Sequence, residues 1–277
     1  MTKIIGVEYG RGATAHIVDG GPANAPKTIM KLLPEHDWTI IQAPEYNTQK
    51  CVQDRFGDCH NIQRKIYVST PTTRHILIGG DHSVNFGHFA ALADQMPNLD
   101  ICLVYIDAHL DIHTPETSLV QASGAPHGTN VRALLGTGDA RWLSLQSKRP
   151  ALMPENLFYI GTRSFETAEI EFVTANNIFV RTPHQIKNTA LLNKAIKEIR
   201  LRIANRPFVV SFDFDVIDPL LFSDVLVPEP DGISLETAQH LLLGFRDAIA
   251  FEFVEYAPSD KNIKCELIAN QLIKSVL

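Results

Sequence analysis

Ile101-Cys102-Leu103-Val104-Tyr105-Ile106-Asp107-Ala108-His109-Leu110-Asp111 is an unbroken apolar run that ends on polar residues spaced two apart. A continuously apolar run of this length reads as a strand buried on both faces, as in a parallel sheet; a half-exposed strand would alternate. On an extended chain residues two apart point to the same side, so Asp107, His109 and Asp111 are expected to converge at the strand's carboxyl end. Two other runs end in the same manner. His75 to Ile78 leads into Gly79-Gly80-Asp81-His82-Ser83, and Phe208 to Phe212 leads into Asp213-Phe214-Asp215.

Working outward, short apolar runs recur at Ile4 to Val7, Trp38 to Ile41, Leu157 to Ile160, Ile178 to Val180 and Phe251 to Val254. Helical spacing is clearest over Thr189 to Ile203 and Ser234 to Ile249. Strands alternating with helices predict a three-layer α/β/α sandwich around a mostly parallel sheet of roughly eight strands. No linker, repeat or charge block divides the chain, so residues 1–277 are expected to form a single domain. Leu110 to Pro126 is a polar connection after a strand, where such folds bind ligands.

With 45% hydrophobic and 20% charged residues the composition is that of a globular protein, and a net charge of −6 gives no footprint for nucleic acid or an anionic membrane. The four cysteines, Cys51, Cys59, Cys102 and Cys265, show neither CxxC spacing nor a disulfide framework. The opening MTKIIGVEYG is strand-like, and no apolar stretch approaches the roughly 20 residues that span a bilayer, so the protein is expected to be cytoplasmic.

Four carboxylates gathered at one sheet edge repel one another unless something positive compensates, and no run of Lys or Arg lies near them. A pair of divalent cations would compensate. Oxygen ligands with two imidazoles suit Mn²⁺ better than Zn²⁺, which prefers closed Cys/His tetrahedra. The expected ligands are His82, Asp107, His109, Asp111, Asp213 and Asp215. Asp81 and Asp218 read as structural, one as a cap or supporting partner and the other as the turn residue before Pro219. His16, His36, His75, His88, His184 and His240 lack ligand-spaced partners, and His60 reads as a surface residue.

Taken together, Gly79 to Ser83, Asp107 to Asp111 and Ser211-Phe212-Asp213-Phe214-Asp215-Val216-Ile217-Asp218-Pro219 resemble the three signatures of the arginase, agmatinase and formimidoylglutamase family. The resemblance extends from Gly20-Gly21-Pro22 to Glu255-Tyr256-Ala257-Pro258 and implies the arginase-like fold, hydrolysis of a linear C–N bond, and trimers or hexamers. It also implies two Mn²⁺ per subunit bridged by Asp107 and Asp213, with His82 and Asp111 completing one shell and His109 and Asp215 the other. The implied catalytic set is His127 as proton shuttle, Glu255 against the substrate guanidinium, and Asp111 itself. His113, Ser123 and Glu166 fall where the family grips the far end of its substrate. Arginases carry Asn at the position of His113 and Asp where this chain reads Ser164-Phe165-Glu166, and about three extra residues precede His127. The expected substrate is therefore a small guanidino or formimino compound: arginine, agmatine, a guanidino acid or formiminoglutamate. Rival readings are a zinc-dependent deacetylase-like amide hydrolase, which would need one metal, and a non-catalytic binding protein, which would have lost ligands.

Overall fold

The structure, a computed structural model, describes residues 2–14, 21–47, 49–118, 123–259 and 262–277. Eight strands make one sheet: β1 (Lys3–Glu8), β2 (Asp37–Gln42), β3 (His75–Ile78), β4 (Cys102–Ile106), β5 (Leu157–Ile160), β6 (Phe179–Arg181), β7 (Phe208–Asp213) and β8 (Ala250–Val254). Their order across the sheet is β2-β1-β3-β8-β7-β4-β5-β6, and every pairing is parallel. The expected mostly parallel sheet is thus wholly parallel. Each apolar run of the sequence became a strand, its ends shifted by a residue or two.

β3, β4, β5, β7 and β8 are buried along their whole length, which is why they are apolar on both faces, while the edge strand β2 carries exposed positions and the edge strand β6 half-buried ones. Alternate residues feed two cores. Ile76, Val104, Val210 and Phe251 face one layer, which contains helices Ala25–Leu32, Thr189–Ile203, Leu235–Gly244 and Ile263–Lys274. Leu77, Leu103, Tyr105 and Val209 face the other, with helices Arg55–Ser69, Asn85–Gln95 and Thr167–Ala175. The helix expected to reach Ile249 stops at Gly244, and the chain turns before β8.

One polar file runs through this interior. His75 Nδ1 lies 2.7 Å from the carbonyl of Thr73, its Nε2 lies 2.6 Å from Nε2 of His88, and His88 Nδ1 lies 2.5 Å from Oε1 of Glu252. Asn85 donates to the other oxygen of Glu252. All four side chains are fully buried, so each histidine finds its partner across the fold. The four cysteines are buried and unbonded, and His60 is half-buried, not the surface residue its sequence context suggested. No helix among the described residues is long and apolar enough to cross a membrane. Gly20 and His16 lie outside the described residues.

Candidate metal centre

Because the sheet is parallel, every strand delivers its carboxyl end to the same edge. The four neighbours β3, β8, β7 and β4 place there His82, Glu255, Asp213 with Asp215, and Asp107 with His109 and Asp111.

His82 is fixed by the turn after β3. Gly80 passes so close to β1 that a Cβ on it would sit 1.3 Å from the carbonyl oxygen of Tyr9. Asp81 then accepts from the backbone N–H of Ser83 at 3.0 Å and of Gly12 at 2.8 Å, which caps the 3₁₀ turn His82–Val84. Asp81 is therefore the supporting cap it was expected to be. Asp218 likewise accepts from Leu220 and Gly232 backbone N–H groups in its turn.

The carboxylates converge, though not by strand alternation. β4 ends at Ile106 and β7 at Asp213; the backbone beyond them turns. Asp107 accepts from His109 N–H at 2.6 Å and Asp213 from Asp215 N–H at 2.8 Å, so each aspartate bends the chain that brings its neighbour round. Asp111 and Glu255 sit at φ 49° and 61°, left-handed positions that side chains other than glycine adopt at a cost and that concentrate at functional sites.

Two trios result, His82–Asp107–Asp111 and Asp107–His109–Asp215, each with ligand atoms within 4.8 Å of one another and both containing Asp107. Asp213 reaches the same centre: its Oδ2 lies 3.0 Å from His82 Nδ1, beside Asp107 at 2.9 Å and Asp111 at 3.3 Å. His109 Nδ1 lies 3.0 Å from Asp215. Both imidazoles thus aim Nδ1 inward. His82 Nε2 is held 2.9 Å from Ser211 Oγ, and its ring stacks on Tyr105 at 4.3 Å. Tyr105 also donates to Asp111 Oδ2 at 2.8 Å.

The electrostatics are those of crowded charge. Burial and the neighbouring Asp107 push Asp111 up to about 7. Burial, with Asp215 next, lifts Asp213 well above the carboxylate range. Burial pulls the other way on His82, yet hydrogen bonds to Asp107 and Asp213 outweigh it and raise its pKa well above the usual value; His109 is raised beside Asp215 in the same way. Asp107 Oδ2, fully buried, faces only the imidazole of His82, at 2.9 Å, among the described residues. Four carboxylates and two inward imidazole nitrogens fit a pair of hard divalent ions, and the absence of thiolate from the set disfavours a zinc tetrahedron.

Above the centre opens a cavity of about 250 Å³, lined by His109, Asp111, Asp213 and Asp215 at its floor and by His113, Ser123, His127, Glu166 and Glu255 on its walls. Every sequence-predicted substrate and catalytic residue therefore reaches one space. Glu255 Oε1 accepts from the N–H of His82 at 2.8 Å, while its buried Oε2 has no partner among the described residues. His127 Nδ1 lies 3.2 Å from the carbonyl of Gly12, and burial pushes its pKa down to about 4. His113 is almost fully buried, with Nε2 3.3 Å from both Glu166 and Glu169. Residues 119–122 of the connecting loop lie outside the described residues.

Sequence reasoning missed Phe165, Glu169 and Val227 on the cavity wall and Glu229 beside His109. Glu169 carried a signal, since Glu166 and Glu169 stand at the spacing of a capping box and form one at the head of helix Thr167–Ala175. Val227 and Glu229 sit in an irregular loop with no period to reveal them.

Fold and site together define a three-layer α/β protein of hydrolase type with a candidate dinuclear centre at the carboxyl edge of its sheet. A model of the Arginase family matches residues 5–277. The arginase of Bacillus subtilis (strain 168) is 31% identical over 206 residues, which are 73% of this chain and 68% of that protein. Among solved structures, Entamoeba histolytica arginase in complex with L-ornithine superposes with a TM-score of 0.85 over 99% of this chain and 97% of that one, at 24% identity. Formimidoylglutamase from Bacillus subtilis gives 0.77 over 100% and 86%, at 19% identity. The chain belongs to the arginase family, binuclear metal enzymes that hydrolyse C–N bonds in linear amidines.

Proposed function

We propose that this enzyme is a manganese-dependent ureohydrolase that cleaves a guanidino compound to urea and an amine, with residues 1–277 acting as one catalytic domain. The observation that carries the reading is the pair of trios sharing Asp107 beneath a cavity whose wall bears the buried Oε2 of Glu255, which has no partner among the described residues. Asp107 and Asp213 would hold both Mn²⁺ ions, His82 and Asp111 one of them, His109 and Asp215 the other. Such a pair supplies Lewis acidity and lowers the pKa of water enough for attack on a guanidinium carbon at neutral pH.

The protein's own groups bind and move protons. Glu255, its pKa lifted by burial and by nearby Asp81, regains full charge when a guanidinium arrives, and Oε2 accepts the planar N–H edge that fixes the attacked carbon. His127 is uncharged at neutral pH, so it can take a proton released at the centre and pass it to the departing nitrogen. Water oxygen bonds to carbon, the bond from carbon to the chain nitrogen breaks, and that nitrogen leaves protonated as an amine. At the outer end Glu166, Ser123 and the His113 that Glu166 and Glu169 hold would receive the rest of the substrate. No Lys or Arg lines the cavity among the described residues, which favours a cationic guanidino substrate over a dicarboxylate.

The test is Mn-loaded protein assayed for urea from arginine, agmatine and guanidinobutyrate and for formamide from formiminoglutamate. Urea from at least one guanidino compound and close to two Mn per chain are expected. Two bound ions without turnover of any of the four would overturn the substrate class, and one Zn per chain would favour an amide hydrolase instead. Sedimentation of the same sample tests the trimer or hexamer.

A further inference from the structure

We infer that Glu229 is a positioning residue for the ion held through His109, and that Arg163 is the clamp that puts it there. The inference rests on the metal reading above and concerns residues that reading does not use.

The two imidazoles of the centre are secured unequally. His82, with 1% of its side chain exposed, is sealed between the Tyr105 ring and the Ser211 hydroxyl. His109 is 21% exposed, so water competes for its outer nitrogen. That nitrogen faces a carboxylate: Nε2 lies 3.5 Å from Glu229 Oε1. An imidazole whose outer N–H points at a carboxylate has its tautomer and ring orientation fixed and its inner nitrogen made more basic, and losing that partner costs about 10- to 100-fold in metal affinity.

Glu229 is itself held. Ser164 Oγ donates to the same Oε1 at 3.0 Å. The flanking Pro228 and Pro230 restrict the backbone on either side. Arg163 then fastens the loop: Nη2 donates to the carbonyl of Glu229 at 2.7 Å and Nε to that of Pro230 at 2.7 Å. The remaining donors go to the carbonyls of Asp215, at 2.9 Å, and of Gly161 and Val216, each at 3.3 Å. A guanidinium has five N–H donors, and here all five meet backbone carbonyls. Arg163 is thereby committed to structure: it ties the loop of Glu229 to the turn of Asp215, the two carboxylates that flank His109 on opposite sides.

The experiment is titration of metal-free wild-type, Glu229→Gln and Arg163→Lys proteins with Mn²⁺ by calorimetry, with thermal melting of each metal-free protein. Two ions are expected in the wild type. In Glu229→Gln one should bind as in the wild type and the other about 10- to 100-fold more weakly, with the metal-free melting temperature unchanged. Arg163→Lys, whose ammonium cannot span five carbonyls, should weaken the same ion and also lower the melting temperature. Wild-type affinity at both sites of Glu229→Gln, an equal loss at both, or a loss matched by a lower metal-free melting temperature would each overturn the positioning role. A wild type that binds no ion pair would instead overturn the metal reading, and this inference with it.

Discussion

Acidification from pH 7 to pH 5 should cost the fold about 2 kcal/mol through His75 alone. The carbonyl of Thr73 can only accept, so the hydrogen of neutral His75 sits on Nδ1, and Nε2 must accept the N–H of His88 Nε2. A second proton on His75 would break that contact in a site without solvent. Burial first, and the adjoining His88 second, accordingly hold its pKa down to about 3. The unfolded chain takes up this proton near the ordinary value of about 6.5. Between those values the unfolded state binds more protons than the folded one, so stability is complete above about 6.5 and falls as pH falls, by roughly 1.4 kcal/mol per unit once well below it. Integrated from pH 7 to 5, that is roughly 2 kcal/mol. The assay is urea unfolding of metal-free wild type and His75→Gln at both pH values. Gln can accept from His88 but does not titrate, and contributions common to both proteins cancel in the double difference. If the two proteins lose equal stability on acidification, the neutral, acceptor-only His75 is refuted.

Asp107→Ala and Asp213→Ala should each abolish metal binding and turnover together, read by metal content and the urea assay. Glu255→Gln should retain both ions and lose turnover; metal loss in that variant would sink its role against the guanidinium. Mn²⁺ must displace protons from His82 and His109, both raised, and from Asp111 at about 7. Metal affinity should therefore climb with pH through neutrality, and calorimetry at pH 7 should show a heat that varies with the buffer's ionisation enthalpy. A buffer-independent heat would contradict this. Gly80→Ala, whose Cβ would overlap the Tyr9 carbonyl, should lower stability by more than about 3 kcal/mol in thermal melting and weaken metal binding.

The sheet was legible because its inner strands are buried on both faces, which leaves no polar alternation to blur the runs at His75 to Ile78 or Phe208 to Phe212. The six candidate ligands were legible because like charges recur at strand ends with nothing basic beside them. The route by which they meet was not. Alternation along an extended strand predicts the convergence of Asp107 and His109, yet the chain has already left β4, and a side-chain hydrogen bond from each aspartate to the backbone makes the turn. Gly244 ends a helix whose apolar spacing continues to Ile249, because spacing does not register the turn into β8. The His75–His88 pair and Glu229 stayed hidden for a common reason: their partners are distant in sequence and meet only through tertiary structure, a relation no local pattern encodes.

The place of β8 in the sheet sets a timetable for assembly. It lies between β3 and β7, yet it is translated after all seven other strands. Until it emerges from the ribosome, β2-β1-β3 and β7-β4-β5-β6 have no strand to join them, and long-range parallel pairing of this kind is slow. A nascent chain can gather Asp107, His109 and Asp215 on the second block alone, but His82 belongs to the first. Insertion of β8 is thus the event that closes the trio of His82, Asp107 and Asp111, and any ion taken up during synthesis meets half a site, with its acidic residues already together and their full neutralisation deferred.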